Sequence, residues 1–402
     1  MMLHISPIFN AMMRNKSSVV LIIMQIALTL AIVSNAAFII KERIDDMQRN
    51  SGIPEAEIVG LSMYFYDENV DITKQLQVDQ QKIMELPYVI EATGINQLPL
   101  SGSGDSWGFR NQPEMEGALT SGAGVFAGNS NITQLFDQQI TKGRSFRPDE
   151  MVIRDSGANA PKVAIITQAL ADELFPDGDA LGKYIYSIDL PFQVIGIMDK
   201  MQGPWVHSSL VEKTVLLPAI YDQQFIRFAI RVEPGEADTM IKNVQDILLK
   251  LENRRVINPA STIADMKATS YQRDRLMTNM LMVIIAVLIF ITALGIAGMT
   301  IFNVNRRQKQ IGTRRALGAS RADIQGYFMT ESALIAGLGI VLGIILALVL
   351  NNYLMTYFSS EALSFNYIGA TLVGIIVVIE IAVFIPALKA SKISPAIATR
   401  SV

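Results

Sequence analysis

Apolar residues in this chain fall into four long blocks, at 18–40, 277–304, 332–357 and 367–387. Each block is long enough to cross ~30 Å of hydrocarbon as a helix of about 20 residues. The first contains Gln25, Thr29, Ser34 and Asn35. Polar groups at that depth need partners, which predicts a face turned to another helix rather than to lipid. Helical spacing continues past Ile40 through Lys41–Asn50 and stops at Ser51-Gly52-Ile53-Pro54, so the first span is expected to rise beyond the membrane as a stalk. A second stalk is expected from Ser261 onward, running unbroken through Gln272, Arg273 and Asp274 into the second span.

The residues between these spans, 41–276, change period. Alternation over 58–66 predicts a strand, 73–85 a helix ended by Pro87, and 88–95 a second strand. The same order returns at 225–232, 236–251 and 255–257. Two βαβ-like units are expected to form one α+β lobe, with a second lobe inserted at about 98–221. That insertion opens on the Gly/Ser-rich Leu100–Gly108; its turn residues and Asp105 favour a loop over an anion cradle. The expected fold is an α-helical membrane protein: four transmembrane helices, with a large two-lobed α+β extracytoplasmic domain between helices 1 and 2.

Charge adds an orientation. Residues 41–276 hold 33 acids against 23 bases, and the remainder holds 11 bases against 4 acids, which together give the net −3 of the 402-residue chain. Basic residues next to spans mark the cytoplasmic side. They are Arg14 and Lys16 before the first span, a cluster at 305–331, and Lys389, Lys392 and Arg400 in the 388–402 tail. Both termini and the 305–331 loop are therefore expected inside, and 41–276 outside. Residues 1–17 space Ile5, Ile8, Phe9, Met12 and Met13 as an amphipathic interfacial helix. A cleaved signal peptide over 1–41 is the competing reading, but the apolar run exceeds the usual ~7–15 residues and favours a retained anchor.

Candidate chemistry is sparse. The chain has no Cys and only His4 and His207, so neither disulfides nor a Cys/His metal site is expected. A phosphate-binding loop needs Gly-x-x-x-x-Gly-Lys-Ser/Thr. The nearest string, Gly178 to Tyr184, is one residue short and lacks the hydroxyl. No Gly-x-Ser-x-Gly or His-Glu-x-x-His occurs. Catalytic, cofactor-binding and metal-binding residues are expected to be none, as is a nucleic-acid partner.

The informative stretch is Arg306 to Asp323, with six bases (Arg306, Arg307, Lys309, Arg314, Arg315, Arg321) and one acid. Gly312 and Gly318 bracket a short helix-compatible run of Thr313, Arg314, Arg315, Ala316 and Leu317. Ser320 followed by Asp323 is a capping box that starts the next helix. This punctuation predicts a short helix lying flat under the membrane as a contact for a cytoplasmic motor. In the third span, Gly339 and Gly343 form a Gly-x-x-x-Gly step suited to close helix packing, widened by Ala333 and Gly337. Glu380 lies deep in the fourth span, where a carboxylate must be neutral, paired or facing a cavity.

Ile311-Gly-Thr-Arg-Arg-Ala-Leu-Gly-Ala-Ser-Arg-Ala-Asp-Ile324 closely resembles the signature of MacB/FtsX-type (type VII) ABC transporter permeases. The Arg314–Ser320 core is intact, with Gln310 where the family often has Glu. The segment 162–198, with its Leu174-Phe175, Leu181-Gly182-Lys183 and Val194-Ile195-Gly196, resembles the family's periplasmic core domain. So do Gly143-Arg144 with Phe146, and the closing pattern of Pro386, Ala387, Ala390, Pro395, Ala398 and Arg400. Glu331 matches an acid of the family, whereas Glu380 has no counterpart.

The resemblance implies a permease subunit of an ABC exporter in the bacterial inner membrane. It would pair with a second permease, identical or homologous, and with two copies of a cytoplasmic ATPase that binds ATP and Mg. Only 17 residues precede the first span, so that ATPase is expected on a separate chain. A periplasmic adaptor and membrane lipid complete the expected partners. Motion would be transmitted to the outer domain for export or extraction of a peptide, antibiotic or lipid-like substrate. The alternative is an FtsX-like signalling or scaffold protein that regulates an extracytoplasmic partner.

Overall fold

The computed structural model describes residues 16–154, 160–358 and 363–393. The expected interfacial helix lies outside the described residues except for its last two positions. Pro395, Ala398 and Arg400 of the tail also lie outside. The chain forms two compact units, Met1–Gln48 with Asp274–Val402, and Arg49–Arg273.

The first helix, α1 (Lys16–Gln48), is continuous from the apolar block into the charged segment. The α/β unit then runs β1 (Ile58–Phe65), α2 (Ile72–Met84), β2 (Val89–Ile95), β3 (Ser106–Arg110), β4 (Thr120–Gly128), α3 (Ile132–Leu135), β5 (Ile140–Gly143), β6 (Val152–Arg154), β7 (Val163–Thr167), α4 (Gln168–Leu174), β8 (Tyr184–Ser187), β9 (Leu190–Met198), β10 (Thr214–Tyr221), β11 (Phe225–Val232), α5 (Ala237–Leu251), β12 (Arg255–Ile257), β13 (Ser261–Thr262) and α6 (Ile263–Ser270).

Its first sheet has the order β12-β1-β11-β2, with β13 also on β1. Each βαβ unit is split by a strand of the other: β11 separates β1 from β2, and β1 separates β11 from β12. All these pairings are antiparallel. This is the interlocked, ferredoxin-like form of two βαβ units. Helices α2 and α5 present Leu76 and Ile83, and Met240, Val244 and Leu248, at helical spacing to the sheet. A carboxylate, Asp79, lies on the buried face of α2. It pairs with Arg255 at the start of β12, and both side chains are fully buried. Arg255 also bonds the carbonyls of Glu252 and Leu248.

The second sheet is built from residues 106–221 and inserted between β2 and β11. Its order is β4-β3-β8-β9-β7-β10-β6, and β4 also pairs with β10, so six strands close on themselves. Phe109, Phe192, Val194 and Val215 fill its interior.

The second stalk differs from the sequence expectation. Ser261–Thr262 is a strand, and α6 starts on a capping box between Thr262 and Asp265. The helix is then interrupted at Tyr271, whose φ and ψ are −92° and 9°. Tyr271 is only 1% exposed, with its ring edge-on to His207 at 5.7 Å. Burial of this large side chain fixes the position of the break, which helical periodicity does not register.

The helical unit continues with α7 (Gln272–Arg306), α8 (Gln308–Ala316), α9 (Arg321–Phe358) and α10 (Phe365–Ser391). Among the described residues, four helices, α1, α7, α9 and α10, are long and apolar enough to cross a membrane.

Candidate functional site

The site is the connection from α7 to α9. Arg307 leaves helical geometry at φ −103° and ψ 13°, and α8 begins at Gln308. Gly312 therefore lies inside the short helix rather than at its start. The hydrogen bond from Ile311 N–H to the Arg307 carbonyl, at 2.9 Å, extends the helix a turn upstream. At the other end Gly318 takes φ +99°, and Ala319 N–H donates to the Arg314 carbonyl at 3.0 Å. That is a left-handed helix stop, which glycine adopts without steric cost. Ser320 and Asp323 then form the reciprocal cap of α9: Asp323 N–H to Ser320 Oγ at 3.1 Å, and Ser320 N–H to Asp323 Oδ2 at 2.9 Å.

The two faces of α8 differ. Ile311 and Gly312 are buried. Lys309, Thr313, Ala316 and Leu317 are exposed, and their spacing places them on one side of the helix. Leu317, the most exposed large apolar residue of the described chain, is 83% exposed. The two central arginines have partners within the chain. The Arg314 guanidinium lies 4.8 Å from the Tyr327 ring centre. Arg315 Nη1 donates to the Ala319 carbonyl at 2.9 Å.

Below them, Arg307 Nη1 donates to Glu331 Oε2 at 3.0 Å and to the Tyr327 hydroxyl at 3.2 Å. Glu331 is 5% exposed. A carboxylate buried to this degree near the end of an apolar helix needs such a partner. Tyr327 and Glu331 are one helical turn apart, so both reach the same arginine. The sequence flags Glu331 as an acid at the mouth of the third span. Its pairing with Arg307 crosses 24 residues and leaves no local signature.

Along the spans, α1 meets α9 at the Gly-x-x-x-Gly step. A Cβ on Gly339 would stand 2.9 Å from Ile26 Cβ, and one on Gly343 would stand 2.9 Å from Leu30 Cβ and 3.1 Å from Ala27 Cα. A Cβ on Gly337 would meet nothing within 4 Å, so Gly337 does not extend this contact face. The polar residues of α1 are met by neighbours: Gln25 Nε2 donates to the Ile291 carbonyl at 3.1 Å, Thr29 and Thr292 hydroxyls bond at 2.8 Å, and Asn35 Nδ2 reaches the Ala347 carbonyl at 3.1 Å. Ser34 bonds within its own helix, to the Leu30 carbonyl. At the far end Arg43 lies 3.6 Å from Asp274. Glu380 is half-buried and unpaired among the described residues.

Two family profiles match. Residues 17–247 match the MacB-like periplasmic core domain, more than half of the chain, and residues 282–395 match the FtsX-like permease C-terminal family. The chain belongs to the MacB/FtsX-type ABC transporter permeases. Permeases similar to it include the macrolide export ATP-binding/permease protein MacB of Neisseria meningitidis serogroup A, 26% identical over 82% of this chain and 50% of that protein. MacB of Wolinella succinogenes is 24% identical over 95% of this chain and 57% of its own length. The pyoverdine export ATP-binding/permease protein PvdT of Pseudomonas syringae pv. syringae is 23% identical over 71% and 44%. The chain thus spans about half the length of the curated relatives it matches. Among solved structures, the periplasmic region of MacB from Actinobacillus actinomycetemcomitans aligns with 56% of the chain at 13% identity and a TM-score of 0.35.

Proposed function

We propose that this permease converts ATP hydrolysis in an ABC-type ATPase into motion of its α/β unit, and that α8 is the contact for that ATPase. The observation that carries the reading is the outward face of α8. Four adjacent residues, Lys309, Thr313, Ala316 and Leu317, are exposed on a helix whose opposite face is anchored by Ile311. An exposed leucine at the end of a short, rigidly capped helix is an anchor of the kind that fills a groove in a partner. Arg314 and Arg315 already have partners within the chain, so Leu317 and Thr313 make the primary contact and the arginines hold the helix in place.

Helix lengths support transmission. α1 has 33 residues and α7 has 35, which is about 50 Å each at 1.5 Å per residue. This exceeds the ~30 Å hydrocarbon core, and the excess forms the stalks. The division of charge supports a bacterial inner-membrane orientation with α8 and both termini cytoplasmic and 41–276 outside. Relatives named for export of macrolides and of pyoverdine support export as the direction of work. The working assembly is two permeases, identical or homologous, with two ATPases binding Mg-ATP, and the substrate is a peptide, antibiotic or lipid-like molecule engaged outside the membrane.

The test is Leu317→Asp beside Arg314→Lys, read as co-purification of the cognate ATPase and ATP turnover in the complex. Loss of a central apolar anchor costs about 2 kcal/mol or more, so Leu317→Asp is expected to weaken association at least ~30-fold. Arg314→Lys is expected to keep it. Unchanged association in Leu317→Asp would remove α8 as the docking element. The chain has no cysteine, so single cysteines at Leu317 and Gly178 with an impermeant maleimide give the orientation directly. Labelling of Leu317→Cys in intact cells would reverse it.

A further inference from the structure

The inner face of α8 overlooks two adjoining hollows in the helical unit. The first is lined by Gln310, Arg314, Tyr327 and Phe328. The second shares Phe328 and runs deeper, past Asn303 and Ser332 to Ile22, Met299 and Ile335.

The chemistry along this path is ordered. At the mouth, Arg314 is exposed and stacks on Tyr327. Among the described residues it has no carboxylate partner, so its N–H groups remain available at the ring's edge. Arg307, its neighbour at the mouth, is neutralised by Glu331 at 3.0 Å, so the site keeps one uncompensated cation with the Gln310 amide a turn away. One helical turn deeper stand the Asn303 amide and the Ser332 hydroxyl. Of these, the Asn303 Nδ2 and the Ser332 hydroxyl are the groups that can donate. Glu331, held by Arg307, lines the same level; beyond it the walls are aliphatic except for Thr300, whose hydroxyl donates to the Ile296 carbonyl at 2.8 Å.

Cation, then neutral hydrogen-bonding groups, then hydrocarbon is the sequence of partners that a glycerophospholipid presents within one leaflet. We propose that this path binds a single anionic phospholipid from the leaflet that α8 faces. The phosphate sits on Arg314 and Gln310, the glycerol ester region sits at Asn303 and Ser332, and one acyl chain lies against Ile22, Met299, Phe328 and Ile335. A net negative headgroup is selected because Glu331 already cancels Arg307, leaving one positive charge to be matched. A zwitterionic headgroup would bring its own cation into the mouth. Gln310 and Arg314 neighbour Leu317 around α8, but lipid binding is read on the permease without its ATPase, so the proposal does not depend on the docking reading.

The experiment is native mass spectrometry of the purified full chain in detergent. It is titrated with phosphatidylglycerol, with phosphatidylcholine, or with phosphatidylglycerol in the presence of inorganic phosphate. The parent is expected to retain one phosphatidylglycerol in preference to phosphatidylcholine. Arg314→Gln should weaken phosphatidylglycerol binding about fivefold, the worth of one basic contact to an anionic lipid, and leave phosphatidylcholine unchanged. Ile335→Trp should weaken both lipids by filling the chain path. Met299→Trp serves the same purpose if Ile335→Trp fails to fold. Arg321→Gln, which removes the same charge from the exposed start of α9, should behave as the parent. Three results would overturn the proposal: no preference between the lipids, equal losses in Arg314→Gln and Arg321→Gln, or displacement of phosphatidylglycerol by inorganic phosphate at comparable concentration. The last would make the mouth a free-anion site with an idle groove. A failure of Leu317→Asp to release the ATPase would leave all of these readouts untouched.

Discussion

In the α/β unit, large side chains meet across sheets. Phe65, Phe109, Phe192 and Phe228 are fully buried, and a fully buried ion pair, Asp79–Arg255, is wrapped by carbonyls and by the Phe65 ring. In the helical unit, the seam between α1 and α9 has glycine at the points of closest approach, and α7 is held to α1 by isolated polar contacts. The difference follows from the solvent. In water, burying apolar area drives association at roughly 25 cal/mol per Å². In lipid that term vanishes between helices, so contact rests on close fit and on a few hydrogen bonds. An α/β core should thus be most sensitive to an orphaned charge, and the helical seam to a single added side chain.

The largest expected effect tests the first half. Asp79→Ala leaves Arg255 buried without its partner, which costs about 3–5 kcal/mol. Trp107 and Trp205 are the chain's two tryptophans, and both lie in the α/β unit, so tryptophan fluorescence in a urea titration reads that unit. Replacing both partners, Asp79→Leu with Arg255→Met, should restore much of the loss, because no charge is then stranded. A double replacement as unstable as the single one would show that the pair is worth more than its packing volume.

The second half is tested at Gly343. A leucine there must enter space held by Leu30 and by the Ala27 backbone, and overpacking of this kind costs about 1–3 kcal/mol. Gly337→Leu, on the open face, should be near neutral. Thermal unfolding in detergent compares the two. Equal melting temperatures would mean that the α1–α9 seam yields to an added side chain, and the contrast with the α/β core would fail.

Much of this architecture was legible beforehand because period and punctuation are local. Strands β1, β2, β11 and β12 and helices α2 and α5 fall within a residue of where alternation and Pro87 place them. The cap at Ser320 and Asp323 reads directly from its spacing. Strands β3 and β4 escaped because their glycines break the alternation, and β10 escaped because Thr214–Tyr221 is buried on both faces and carries Pro218. The interruption at Tyr271 depends on a partner 64 positions away, His207. At the candidate site, the Arg314–Leu317 run was visible, but the division of labour within it was not. Which arginine stacks on Tyr327 and which residue faces outward is decided by α9 packing behind the short helix.

A smaller effect concerns acid. Glu252 accepts two hydrogen bonds from the Arg254 guanidinium, at 2.9 and 2.7 Å, and one from its backbone N–H. These hold its pKa down from 4.5 to about 2. The folded value is the lower one, so the stabilisation is complete above pH 4.5 and is lost as pH falls toward 2. Arg254 is 43% exposed, so water screens the pair and its worth is that of a surface pair, up to about 1 kcal/mol. Urea midpoints measured between pH 5 and 2 should decline less steeply in Glu252→Gln than in the parent. Parallel declines would assign the acid sensitivity to other carboxylates.

The smallest effect bears on how α7 is attached. Thr29 and Thr292 share a buried hydroxyl–hydroxyl bond of 2.8 Å between α1 and α7. In a bilayer, a threonine that loses its partner turns to the carbonyl four residues before it, as Thr300 does with Ile296 at 2.8 Å. The bond's net worth is therefore the difference between two satisfied states. Such interhelical bonds average ~0.6 kcal/mol. Thr29→Val, Thr292→Val and the double variant form a cycle, with valine keeping the branched shape and removing only the hydroxyl. The coupling energy, from thermal or sodium dodecyl sulfate titrations in mixed micelles, should be close to ~0.6 kcal/mol. A coupling above ~2 kcal/mol would make this hydrogen bond stronger than the glycine seam, and α7 would be rigidly fixed to α1 rather than lightly pinned. A coupling of zero would leave Gln25 and the Arg43–Asp274 pair as what holds the two helices in register.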